Sequence, residues 1–141
     1  MANTTFSGPV TSQNGFIGDV TGNVTGNVTG NISGTVTGTV VQPVTAVTAA
    51  GTNLSTAAAL ANGINVVGGA DGTKGVKLPT AVAGTTIMVY SSVATNGLVV
   101  YANTSDTING SASVTMEGLT WLQAVATTDA VWLTTIFTAD S

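Results

Sequence analysis

The chain has no cysteine, no histidine and no arginine. Without cysteine there is no disulfide framework and no thiolate chemistry. Without histidine the commonest acid–base group and metal ligand is missing. The only cationic side chains are Lys74 and Lys77, and they cannot make a basic face. Binding through phosphate neutralisation is therefore set aside, and no nucleic-acid partner is expected. Six acidic residues against two lysines leave a net charge of −4. Such scarce charge beside 43% hydrophobic residues is not a disordered composition. Gly and Thr interrupt the charge-free run from Val20 to Ala70, so no membrane-spanning segment is expected. The opening MANTTFSG has neither a basic nor an apolar region of the kind a secretory signal needs, so none is expected. The 141 residues suffice for one ordinary domain and an extension.

What the chain does have is a repeat. Gly18 to Val41 reads GDVT-GNVT-GNVT-GNIS-GTVT-GTVV, six tandem tetrads of Gly, a polar residue, Val or Ile, and Thr, Ser or Val. The period is even, and in an extended chain successive side chains alternate between faces. Every Gly and every Val or Ile therefore shares one face, whose apolar positions are Val20, Val24, Val28, Ile32, Val36 and Val40. One strand with one narrow apolar stripe has both edges unpaired and nothing to bury against. It needs copies of itself, and three is the smallest ring that encloses a Val axis. A four-residue slip restores the same pattern, so the repeat does not set its own register. A neighbouring domain must hold it.

Three segments follow. Residues 1–17 form an N-terminal arm with turn signals at Gly8-Pro9 and Asn14-Gly15. Residues 18–41 are the repeat, expected as an intertwined trimeric β-shaft. Residues 42–141 lose the repeat and read as a compact all-β domain, with Pro43 at the boundary. Short runs rich in Val, Ile, Thr and Tyr alternate there with Gly, Asn, Asp and Pro. The expected strands are Val44–Thr48, Ile64–Val67, Gly75–Leu78, Thr85–Tyr90, Gly97–Tyr101, Ser113–Met116, Leu119–Val125 and Val131–Thr138. That spacing suggests a β-sandwich or jelly roll. Thr56–Ala61 is Ala-rich; it reads as the approach to a strand and less as a helical turn.

The chemistry-bearing residues are sparse. Asp71, Asp106, Glu117, Asp129 and Asp140 are scattered beside turn signals or at the chain end, outside any calcium-loop pattern. Turn capping is the expectation for them, and no metal, cofactor or catalytic pair is expected. Seven Asn-x-Ser/Thr sequons, at Asn3, Asn23, Asn27, Asn31, Asn53, Asn103 and Asn109, read as the product of a chain rich in Asn and Thr. Tyr90, Tyr101, Trp121, Trp132 and Phe137 could stack on a sugar. With so few aromatics, core packing or an intersubunit contact is the default for the tryptophans. Phe6 and Phe16 are the only aromatics before Tyr90. They mark either a docking contact or a small cluster at the base of the shaft.

The opening MANTTFSGPV, with Ser12-Gln-Asn-Gly-Phe16 behind it, resembles the N-terminus of small virion structural proteins of marine tailed phages, cyanophages especially. Thr11 stands where many of those carry a basic residue. Gly75-Val-Lys-Leu-Pro79, Ala83-Gly-Thr-Thr-Ile-Met-Val-Tyr90, Leu98-Val-Val-Tyr101, Asp106-Thr-Ile-Asn-Gly110 and Trp132 together resemble a β-domain of phage capsid-decoration, head-fibre and tail-fibre proteins. The repeat is also similar to the V-x-G octad of the triple-stranded β-helix in tail-spike needles. The resemblance implies a non-enzymatic homotrimer on the capsid exterior, a decoration or cement protein with the major capsid protein as partner. Phe6, Pro9 and Phe16 would be its capsid anchor. A tail-fibre or spike component that binds host-surface glycans is the alternative.

Overall fold

The computed structural model describes Ser7 and residues 35–138. Every strand lies in a compact unit that begins at Gly38. The described residues form ten strands and no helix: β1 (Val44–Thr48), β2 (Ala58–Ala59), β3 (Gly63–Gly68), β4 (Gly75–Lys77), β5 (Thr86–Ser91), β6 (Leu98–Tyr101), β7 (Thr107–Ile108), β8 (Ser113–Met116), β9 (Thr120–Thr128) and β10 (Val131–Thr138).

They build two sheets, one ordered β1-β3-β5-β9-β10-β7 and the other β2-β4-β6-β8. From β1 to β6 the chain alternates between the sheets, and each strand pairs in parallel with the one a full turn before it. Val44 pairs with Ile64, and Ile64 with Met88, so successive turns advance 20 and then 24 residues. This is a β-solenoid. Parallel neighbours need a long crossover, and here each crossover is a strand of the opposite sheet. The parallel stack ends where β9 pairs antiparallel with β5 and β8 antiparallel with β6. β10 then folds back on β9 around a bulge at Val131/Trp132.

The all-β expectation holds, and β1, β8 and β10 keep their expected bounds. The connectivity is corrected: a coil of parallel turns stands where an antiparallel sandwich or jelly roll was expected. The reason is that in-out alternation and turn spacing are the same in both arrangements. Two short strands, β2 and β7, were not expected as such; β2 falls inside the Ala-rich stretch read as a strand approach.

One core lies between the sheets. Val67, Ile87, Val89, Leu122 and Trp132 reach it from the larger sheet, and Val76, Leu98, Val100 and Met116 from the smaller. Strict alternation does this: in β3, β5 and β9 every second residue is buried. Asn65, Ser91 and Thr120 are the buried polar residues of the inner face, and Asn65 is fully buried. Its Nδ2 donates to the Ala61 carbonyl at 2.9 Å, and its Oδ1 accepts the Ala61 N–H at 3.1 Å. The bend that leads into β3 thus satisfies the polar atoms of the buried Asn65 amide.

Candidate interaction surface

The outward face of the larger sheet is uncharged and mostly apolar. Its strands β1, β3, β5, β9, β10 and β7 contain no charged residue. Register lines the outward side chains into rows. One row runs Val44, Ile64, Met88, Gln123, Thr135. The next runs Ala46, Val66, Tyr90, Trp121, Phe137. A shorter one joins Thr86, Val125 and Leu133. Tyr90 and Trp121 stack with ring centroids 4.7 Å apart and planes tilted by 32°. Val44, Leu133 and Phe137 are exposed by 66%, 52% and 48%, and the residues between them are half-buried.

Parallel sheets are ordinarily covered on both faces, and their strands are apolar on both. In this sheet β1, β3 and β5 pair in parallel, β9 pairs antiparallel with both β5 and β10, and in the single chain only the inner face is covered. Five strands about 4.8 Å apart and about five residues long present a flat patch on the order of 400 Å². A patch of that size matches the largest one on a typical monomer, which is often functional.

The expected site residues separate. Trp132 is in the core, completely buried, and Trp121 is on the outer face. Tyr90, Trp121 and Phe137 come together. Tyr101 does not: it belongs to the smaller sheet, where its hydroxyl donates to the Thr52 carbonyl at 3.0 Å. Val36 and Val40 are exposed, and residues 35–43 form no strand in the single chain. The other axis positions, Val20, Val24, Val28 and Ile32, and the anchor positions Phe6, Pro9 and Phe16 lie outside the described residues.

The acids hold turns. Asp106 accepts the Ala81 N–H at 2.8 Å and Asp129 the Ala83 N–H at 2.9 Å, so both fasten the loop between β4 and β5. Asp71 Oδ1 accepts from the Thr73 hydroxyl and from the backbone N–H groups of Thr73 and Lys74, and Oδ2 lies 3.1 Å from Lys74 Nζ. These partners, the Thr73 hydroxyl foremost, hold its carboxyl well below the ordinary 3.8. Among the described residues no three acids gather as metal ligands. The sequon asparagines in this region are turn residues too. Asn53 Oδ1 caps Ser55 and Thr56, and Asn109 exchanges hydrogen bonds with Thr134 of β10. A hollow of about 390 Å³ opens among Asn53, Leu54, Ser55, Lys77 and Thr104, on the side away from the aromatic row.

Reading the sequence strand by strand missed the outer face. The available signal was that β3 and β5 are apolar at both parities: Ile64 and Val66 alternate with Val67, and Met88 and Tyr90 with Ile87 and Val89. Comparison with protein-family models, with curated proteins and with solved structures finds no match for this chain.

Proposed function

We propose that the chain is a non-enzymatic structural protein of a phage virion, a homotrimer that decorates the exterior of the assembled capsid and stabilises it. The observation that carries this reading is the tetrad repeat, which one chain cannot satisfy, running without interruption to within three residues of a solenoid. Val36 and Val40, its last two axis positions, are exposed in the single chain, as is every residue from 35 to 44. In the trimer, residues 18–41 form the shaft, and residues 42–141 form the domain that sets its register. Phe6, Pro9 and Phe16 of the arm contact the major capsid protein. A protein that binds only the assembled shell shifts the assembly equilibrium towards it by mass action.

Copy number in purified particles tests the role. Hundreds of copies fit capsid decoration, whereas roughly three to thirty-six, the multiplicity of closed tail assemblies, would replace it with a tail part. That second reading, a tail-fibre or spike component, is favoured by one observation: the outward row of half-buried Tyr90 and Trp121 with exposed Phe137 carries the aromatic faces that stack on sugars. Binding of the intact protein to host-surface glycan, abolished by Trp121→Ala, would support it.

The facing of the repeat has its own test. Val28→Asp would gather three carboxylates on a dry axis, where they cannot all ionise cheaply. Trimer melting is expected to fall sharply in Val28→Asp and little in Thr29→Asp. Equal effects would overturn the assignment of faces.

A further inference from the structure

We propose that the outward face of the six-stranded sheet, centred on Tyr90, Trp121 and Phe137, is where the three copies of this chain meet in the solenoid region. The inference rests on the trimeric reading above and names the surface that performs the clamping.

Three features choose a second copy as the occupant. The first is charge. On a three-fold axis each residue meets two of its own kind, so a charge there is repelled by its copies. The larger sheet carries no charge. The described charged residues are confined to turns and to the smaller sheet: Asp71, Lys74, Asp106, Glu117 and Asp129 lie between strands, and Lys77 is in β4. The second is continuity. The repeat ends at Val41, and β1 opens at Val44 in the first outward row, so the strand that needs copies leads onto the face that needs cover. Val40, Val41 and Val44 are all exposed across that join. The third is extent. The charge-free face measures on the order of 400 Å², the size of a typical monomer's largest patch, which is often functional.

The test uses the full chain. Native mass measurement at micromolar concentration is made on the wild type, on Trp121→Lys and on Thr115→Lys, which places the same charge on an exposed position of the smaller sheet. Wild type and Thr115→Lys are expected to be trimers, with trimer affinity in Trp121→Lys reduced by at least about ten-fold, the scale of an interface hot spot. Peroxide oxidation of the wild-type trimer needs no variant and covers the case in which Trp121→Lys fails to fold. Met116 is in the core and Met88 on the face. Met88 is expected to be as protected as Met116.

A monomeric wild type would overturn the trimeric reading itself. A wild-type trimer whose Met88 oxidises as readily as in the unfolded chain would overturn the face alone. So would a Trp121→Lys trimer of unchanged affinity. If that variant kept its affinity but lost empty capsids, the face would belong to the capsid contact instead.

Discussion

Single side chains in this fold act mostly on the backbone. Asn65 is the clearest case, because its amide is fully buried and both of its polar atoms serve Ala61. Removing it loses two intramolecular hydrogen bonds to the bend, together worth about 1–3 kcal/mol. Asn65→Ala is therefore expected to lower unfolding stability by that amount in urea. A change within about 0.5 kcal/mol, the range of neutral surface substitutions, would show that the clip does not hold the bend. Asp71 makes a pH prediction of definite sign. Its carboxyl titrates below the ordinary 3.8 when folded. Its contribution is therefore fully present above that value and is lost as pH falls from 3.8 through the lower folded value. The turn is exposed, so the effect is small. Wild type should lose slightly more melting temperature than Asp71→Asn on acidification below about pH 4, and parallel curves would remove Asp71 from the acid response.

At the scale of elements, the coil depends on how closely β1 approaches β3. Gly63 has a φ of +100°, and a Cβ there would lie 2.8 Å from the Pro43 carbonyl oxygen. That same carbonyl accepts the Ile64 N–H at 3.0 Å and starts the β1–β3 ladder. Gly72 also has a positive φ, +88°, but a Cβ there meets open space. Gly72→Ala should cost about 1 kcal/mol of conformational strain, and Gly63→Ala at least about 2, since it adds a clash with backbone. Equal losses in denaturant would show that the β1–β3 contact yields. These elements also show what was legible in the sequence. The strand bounds were readable because Asp71-Gly72, Asn96-Gly97 and Asn109-Gly110 supply turn chemistry between β-branched runs. The solenoid was not readable: alternation reports which side chains turn inward but not which strand lies beside which. β2 was hidden because Ala58 and Ala59 carry no β signature and pair only through backbone register with Val76 and Lys77. The outer face escaped because its rows exist only after five strands are placed in register, with Ala46, Val66, Tyr90, Trp121 and Phe137 drawn from positions far apart in the chain.

For the whole molecule, the proposed trimer assigns different work to different regions. The repeat supplies length without register, the solenoid supplies register, and the arm remains for the capsid. Residues 42–141 retain the Pro43 carbonyl that starts the first ladder and the whole core. Deleting 1–41 should therefore leave a soluble, folded domain by circular dichroism, and an unfolded product would show that the repeat is needed to close the first turn. The arm's role follows from what the other regions cannot use. In sequence, Phe6 and Phe16 lie outside the repeat and outside residues 42–141. Gly8-Pro9 and Asn14-Gly15 permit sharp changes of direction, which a segment threading between capsomers needs. Three arms on one trimer raise the effective concentration of each, so a weak contact per arm suffices for stable decoration. Phe6→Ala combined with Phe16→Ala should keep the trimer intact in native mass measurement while abolishing binding to empty capsids. Normal occupancy by that double variant would move the capsid contact to residues 42–141. The smaller sheet and its hollow around Lys77 would then be the surface to alter next, because the proposed trimer covers the larger sheet.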